Sequence, residues 1–164
     1  MDIVDQAIAI ERQGEDFYRA FAGSVSDEGA VYIFSWLADQ EKKHYGVFQK
    51  MKEGGLAHIE KSSDLKSVRD IFSGWKATRA RLSVNVSQIE LYRQALDVEE
   101  KSIRIYEEGA RTAVDNAARF AFLSIAAEEK AHRQIMENII EFVTKPEFWV
   151  ENAEFGYRGE DYYL

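Results

Sequence analysis

Apolar residues recur every three or four positions along four long stretches of the chain, which is the spacing of one face of an α-helix. In the second and fourth stretches, charged residues interrupt that apolar face. The two faces read Phe34, Leu37, Glu41, His44, Phe48, Met51 and Phe122, Ile125, Glu129, His132, Met136, Ile139. Because an unpaired buried carboxylate is costly, these faces need something that neutralises them. The pattern predicts helices with polar chemistry on their buried sides.

Breaks in the pattern set the limits of the predicted elements. Gly54 and Gly55 stop the second helix, and Pro146 follows the end of the fourth. The candidate N-caps are Ser26 or Asp27, Ser87 in a capping box with Glu90, and Asp115 or Asn116. We predict an all-α fold with a single domain at 1–164, made of a helix pair at 2–53, a crossover at 54–86, a helix pair at 87–143 and a C-terminal tail at 144–164.

The crossover and the tail have patterns of their own. Helical spacing of apolar residues from Leu65 to Trp75, after a Ser63-Asp64 cap, predicts a short amphipathic helix that covers the end of the bundle. The tail is rich in aromatic residues. We expect it to pack on the bundle or on a partner subunit, with a functional aromatic box as the alternative.

The two polar faces belong to an internal repeat. A single Glu-x-x-His is common on solvated helices, but this chain has three His, and two of them follow a Glu by three residues, at His44 and His132. From Glu41 to Glu129 is 88 residues, and at the same offset the segment 7–22 aligns with 95–110 without a gap. Each half therefore carries one Glu, at Glu11 or Glu99, thirty residues before its Glu-x-x-His.

This pattern resembles the ferritin-like di-iron carboxylate proteins, and among them the rubrerythrin-related group, over about residues 3 to 143. That family takes one Glu from each of two helices and Glu-x-x-His from each of the other two. The resemblance implies a ferritin-like four-helix bundle, formed by two antiparallel helix pairs joined by the long crossover. The metal ligands that it implies are Glu11, Glu41, His44, Glu99, Glu129 and His132.

The ligand chemistry points to two divalent ions. Carboxylates and imidazoles suit iron or manganese, and four Glu balance the charge of two such ions. We expect two iron ions, cycling between Fe2+ and Fe3+, with manganese or zinc as substitutes. The resemblance further implies that Glu41 and Glu129 bridge the ions, that Glu11 and His44 complete one position, and that Glu99 and His132 complete the other.

Four further residues lie on the same faces as the ligands. Tyr18 and Tyr106, each seven residues after a Glu, are expected to hydrogen-bond the ligand carboxylates, unless they are ordinary core aromatics. Gly14 and Ser102 are small and leave room for oxygen or peroxide. By contrast, Glu15, Glu100 and Glu128 are expected to be solvated, and His58 to lie on the surface.

Two departures from rubrerythrin bear on the activity. Rubrerythrin has a further Glu at the position of Ser102, linked to peroxide reduction, so its loss favours a ferritin-like or bacterioferritin-like site. The sequence also has no Cys and therefore no rubredoxin-type iron site, so electrons must come from an external donor. We expect a di-iron oxidoreductase of the ferroxidase or peroxidase type. The alternatives are iron binding or sequestration without turnover, and a structural bundle holding zinc or no metal.

Net charge and the lengths of the apolar runs limit the classes of partner that we expect. The net charge of −8 disfavours nucleic acid, and no apolar run is long enough for a membrane span or a signal peptide. We therefore expect a cytoplasmic protein whose substrate is oxygen or hydrogen peroxide. A homodimer is the expected assembly, with the tail and the crossover as contacts.

Overall fold

All regular structure in the described part of the chain is helical. The computed structural model describes residues 1–55, 59, 60, 62 and 65–145, and no strand occurs among them. The helices are α1 (Ile3–Ser24), α2 (Glu28–Lys52), α3 (Leu65–Thr78), α4 (Val86–Thr112) and α5 (Asn116–Thr144). This agrees with the expected ferritin-like bundle. Within the same residues, no helix has both the length and the apolar character needed to cross a bilayer.

Most helix ends form where the sequence predicts them. The Asp27 and Asp115 carboxylates accept hydrogen bonds from backbone N–H groups of the first turns of α2 and α5, and Gly54 follows α2 with a φ of 76°. The capping box predicted at Ser87 is wrong. Asn85 caps α4 instead, because its side chain and that of Gln88 bond each other's backbone N–H groups at 2.8 and 2.9 Å.

The helices pack as two hairpins. Short links join α1 to α2 and α4 to α5, and α1 then packs against α4 and α2 against α5. The predicted crossover helix is present as α3. Its Trp75 stacks on Phe142 of α5 with ring centroids 4.9 Å apart, so α3 covers one end of the bundle. The proposed cap at Ser63-Asp64 and the tail from residue 146 onward lie outside the described residues.

The apolar core consists of two clusters. One cluster holds Tyr18, Phe21, Phe34, Tyr92 and Phe142 with α3, and the other holds Ala7, Phe48, Tyr106, Phe122 and Ile125. Between the two clusters, each of α1, α2, α4 and α5 carries one or more buried polar residues. We call these buried polar residues the polar layer. It contains all six predicted metal ligands.

Candidate metal centre

Each of the four long helices brings one predicted ligand carboxylate into the polar layer. Glu11 and Glu99 come from the first helix of each hairpin, and α2 and α5 each add a Glu with a His one turn further along. All six residues are at most 4% exposed. The residues that flank them along each helix are apolar core residues, so the polar groups meet in the middle of the bundle.

Four of the six residues form a tight group. Glu41, His44, Glu129 and His132 each offer one ligand atom, and these atoms lie within 4.8 Å of one another. Glu129 faces both imidazoles, since its Oε1 is 2.7 Å from His44 Nδ1 and its Oε2 is 3.4 Å from His132 Nδ1. Glu41 Oε1 lies 2.9 Å from His132 Nδ1. The two Glu-x-x-His motifs are thus brought together face to face.

Glu11 and Glu99 lie beside this group and are held by tyrosines. Glu11 Oε2 is 3.5 Å from His44 Nδ1, and its Oε1 accepts a hydrogen bond from the Tyr106 hydroxyl. Glu99 Oε1 accepts a hydrogen bond from the Tyr18 hydroxyl. Each tyrosine therefore bonds the carboxylate of the other sequence half. The two hydroxyls thus form hydrogen bonds between α1 and α4 across the polar layer.

Burial makes the charges in this layer unfavourable. It raises the pKa of Glu11, Glu41 and Glu99, and the charge of Glu129 raises each further. Burial would also raise the pKa of Glu129, but the two imidazoles hold it well below its usual range. Burial and the charge of Glu129 therefore favour the protonated form of Glu11, Glu41 and Glu99 when no metal is bound.

Burial shifts the pKa of an imidazole in the direction opposite to that of a carboxylate. Burial lowers the pKa of His44 and His132, but the surrounding carboxylates outweigh it, so both values rise, that of His132 to about 10. The surrounding carboxylates therefore favour the cationic form of both rings in the metal-free layer. A metal ion binding at Nδ1 would have to displace those protons.

The buried ligand atoms fit a metal. Glu41 Oε1, both Glu129 oxygens and the Nδ1 atoms of both histidines form no hydrogen bond of normal geometry with the described residues, despite their short ion-pair distances. Metal–ligand bonds of about 2.0–2.2 Å place opposed ligands roughly 4 Å apart, close to the spread found here. Buried polar atoms without hydrogen bonds are costly unless a cation binds them. The residues present therefore suit a metal centre.

The two small residues are placed differently from each other. A Cβ atom at Gly14 would lie 2.5 Å from Glu41 Oε2, so the Glu41 carboxylate occupies the space that the absent side chain leaves. Ser102 is buried, and its hydroxyl donates to the Glu99 backbone carbonyl at 2.7 Å. A larger residue at Gly14 would displace a candidate ligand.

Glu128 was predicted to be solvated, and this prediction is wrong. It is 5% exposed, and its Oε2 lies 2.8 Å from His44 Nε2 and 2.6 Å from the hydroxyl of Ser62. Burial would raise the pKa of Glu128, but the hydrogen bond and charge of His44 lower it below the usual value. Glu15, also expected to be solvated, is partly exposed and pairs with Arg19. His58 lies outside the described residues.

Comparison with known proteins identifies a family. The rubrerythrin family model matches residues 2–140, which include the whole polar layer. Searches of the curated proteins and of the solved structures found no match.

Proposed function

The chain belongs to the rubrerythrin family, and on that premise we propose that it holds two iron ions in the polar layer and reacts with oxygen or hydrogen peroxide. The observation that carries the proposal is the group of four buried Glu and His side chains whose ligand atoms lie within 4.8 Å of one another. When bound, two Fe(II) ions supply electrons for reducing oxygen or peroxide. The ligands in this proposal are Glu11, Glu41, His44, Glu99, Glu129 and His132.

The orientation of the two central carboxylates supports bridging roles. Glu129 directs one oxygen toward each imidazole, so it could contribute a ligand atom to a metal ion beside either ring. Glu41 directs Oε1 to His132, while its Oε2 lies against α1 at Gly14, one turn from Glu11. Both Glu-x-x-His glutamates therefore face two sides of the layer, whereas Glu11 and Glu99 each have one oxygen held by a tyrosine.

The residues around the polar layer would orient the metal ligands and exclude water from them. The two apolar clusters close it from both ends of the bundle, which strengthens electrostatic interactions inside. Tyr18 and Tyr106 leave one oxygen of each bonded carboxylate for another partner, since they occupy only Oε1. The metal-free protein therefore already holds these carboxylates in fixed directions.

Iron binding without turnover is the second candidate. It is favoured by the lack of cysteine in these 164 residues, which provide no rubredoxin-type electron donor, and by Ser102 at the position of a rubrerythrin Glu. An enzyme of this kind would take electrons from an external donor. We also propose a homodimer in the cytoplasm as the working form of the protein.

Anaerobic loading with Fe(II) tests both candidates. We expect two irons per chain and a change in the ultraviolet and visible spectrum when oxygen or peroxide is added. The double variant Glu41→Gln with Glu129→Gln should lose both. The matched control is Glu107→Gln with Glu108→Gln, which changes two exposed carboxylates on α4.

Repeated spectral cycles with added reductant would identify an oxidoreductase, whereas a single oxidation with retained iron would identify sequestration. The proposal is wrong if the wild-type protein binds no iron, or if the Glu41 and Glu129 double variant binds it as tightly.

A further inference from the structure

The two halves of the candidate centre differ in the hydrogen bonding of the histidine Nε2 atoms. Both rings turn Nδ1 toward the central carboxylates. His44 Nε2 lies 2.8 Å from Glu128 Oε2, but His132 Nε2 is buried and has no hydrogen-bond partner among the described residues. The rings of His132 and Trp36 are nearly perpendicular, with their centroids 5.7 Å apart. One imidazole is therefore anchored by a carboxylate, while the other lies beside an aromatic ring.

Glu128 is itself anchored, by the crossover. The Ser62 hydroxyl donates to Glu128 Oε2 at 2.6 Å and lies 3.1 Å from Gln40 Oε1. A hydroxyl has one hydrogen to donate, and we assign it to the shorter contact, with Glu128. Glu128 Oε2 thus receives two hydrogen bonds, from His44 and Ser62, and is fixed from two sides.

The internal repeat explains the asymmetry. Gln40 precedes Glu128 by 88 residues and occupies the same place before its own Glu-x-x-His. It is also buried, at 2% exposure. One half of the repeat thus has a carboxylate where the other has a neutral amide. An amide cannot provide the charge that makes the Glu128 contact to an imidazole strong.

We propose that Glu128 is a positioning residue that, with Ser62, fixes the imidazole of His44, and that the metal position beside His44 and Glu11 therefore binds its ion first and more tightly than the position beside His132. This inference rests on the proposed function. It goes further by making the two metal positions unequal and by assigning a role to the crossover.

The reason is the orientation of the ring. A carboxylate acceptor at Nε2 keeps a ring hydrogen on that nitrogen, so Nδ1, on the side of Glu129 and Glu11, is the nitrogen that would give up its proton to a metal ion. The ring of His132 lacks such an acceptor among the described residues, so its orientation must be fixed when metal binds. Removing a carboxylate that orients a ligand histidine typically weakens metal binding by about 10-fold to 100-fold.

The test is a titration of the metal-free full chain with Zn(II), followed by nuclear magnetic resonance of the imidazole nitrogens. Zn(II) is diamagnetic and redox-inert, so the readout does not depend on activity. Variants His44→Gln and His132→Gln assign the two rings. Up to one equivalent of Zn(II), we expect the His44 signals to move while those of His132 stay in place.

Glu128→Gln keeps the shape of the side chain and removes its charge. We expect it to weaken the first binding step by about tenfold or more and to abolish the order of filling. Ser62→Ala should weaken the same step less, because the His44 contact remains. Glu100→Gln, the same chemical change next to Glu99, is the matched control and should leave both steps unchanged. Thermal unfolding of each metal-free variant checks that the fold is intact.

Three results would overturn the inference. The first is movement of the His132 signals before or together with those of His44, and the second is an unchanged first step in Glu128→Gln. Both leave the proposed metal centre in place if two Zn(II) ions still bind. The third is a wild-type protein that binds no Zn(II) or Fe(II), which would overturn the metal centre and the inference together.

Discussion

Replacing Gly14 by alanine should separate metal affinity from fold stability. The added methyl group would lie 2.5 Å from Glu41 Oε2 and 3.2 Å from its Cδ, against ordinary contacts of 3.4 Å or more. The carboxylate oxygen must therefore move by about 0.9 Å, whereas metal sites tolerate roughly 0.2 Å in ligand distances. We expect the affinity for at least one ion to fall by about tenfold or more, which is about 1.4 kcal/mol.

The stability of the metal-free protein should change little. Alanine is favoured over glycine inside a helix by about 1 kcal/mol, which offsets the cost of moving the Glu41 carboxylate away from His132. Gly46→Ala is the matched control. It is also inside a helix, and a Cβ atom there meets nothing within 4 Å among the described residues. This control should gain about 1 kcal/mol of stability and keep its metal affinity.

Urea unfolding of the metal-free proteins measures stability, and competition with a chelator measures affinity for Fe(II) under anaerobic conditions. The reasoning requires the two variants to differ in affinity. If Gly14→Ala binds two ions as tightly as wild type does, the Glu41 carboxylate is not needed where the structure places it.

Three further predictions use other parts of the molecule. Tyr18→Phe removes the hydroxyl that donates to Glu99, so chelator competition should show about tenfold weaker metal binding with the fold intact, and equal affinity and turnover would refute the role. The pKa of His132 is raised to about 10, so its charged ring stabilises the metal-free fold up to about pH 6.5. Urea unfolding should show that this contribution is lost between pH 6.5 and 10, and that His132→Gln reduces the change. Trp75→Ala removes the stack on Phe142 and should cost about 3 kcal/mol in urea unfolding, while metal content by elemental analysis stays at the wild-type value.

The sequence predicted the polar layer because helical periodicity carries it directly. Glu41, His44, Glu129 and His132 fall on the apolar faces at intervals of three and four, so a pattern of buried positions includes them. Glu128 was missed because it lies one residue off that face. The available signals were its place before a ligand Glu and the polar residue Gln40 at the same place in the other half.

Local choices between similar signals were harder to predict. Asn85 with Gln88 and Ser87 with Glu90 both match the spacing of a capping box, and only the structure shows which one begins α4. The contact between Ser62 and Glu128 could not be predicted. Ser62 lies outside the helices and meets Glu128 through tertiary packing, which produces no periodic pattern in the sequence.

The spread of the polar layer over distant parts of the chain has a consequence for unfolding. Glu11 and Glu129 are 118 residues apart, and the sequence has no cysteine to link its two halves covalently. An ion held by both would close that segment into a loop. By analogy with a disulfide, closing a loop of about 100 residues lowers the entropy of the unfolded chain by the equivalent of roughly 4 to 5 kcal/mol. The bound metal would thus act as a reversible cross-link of the whole bundle, and a chelator would open it.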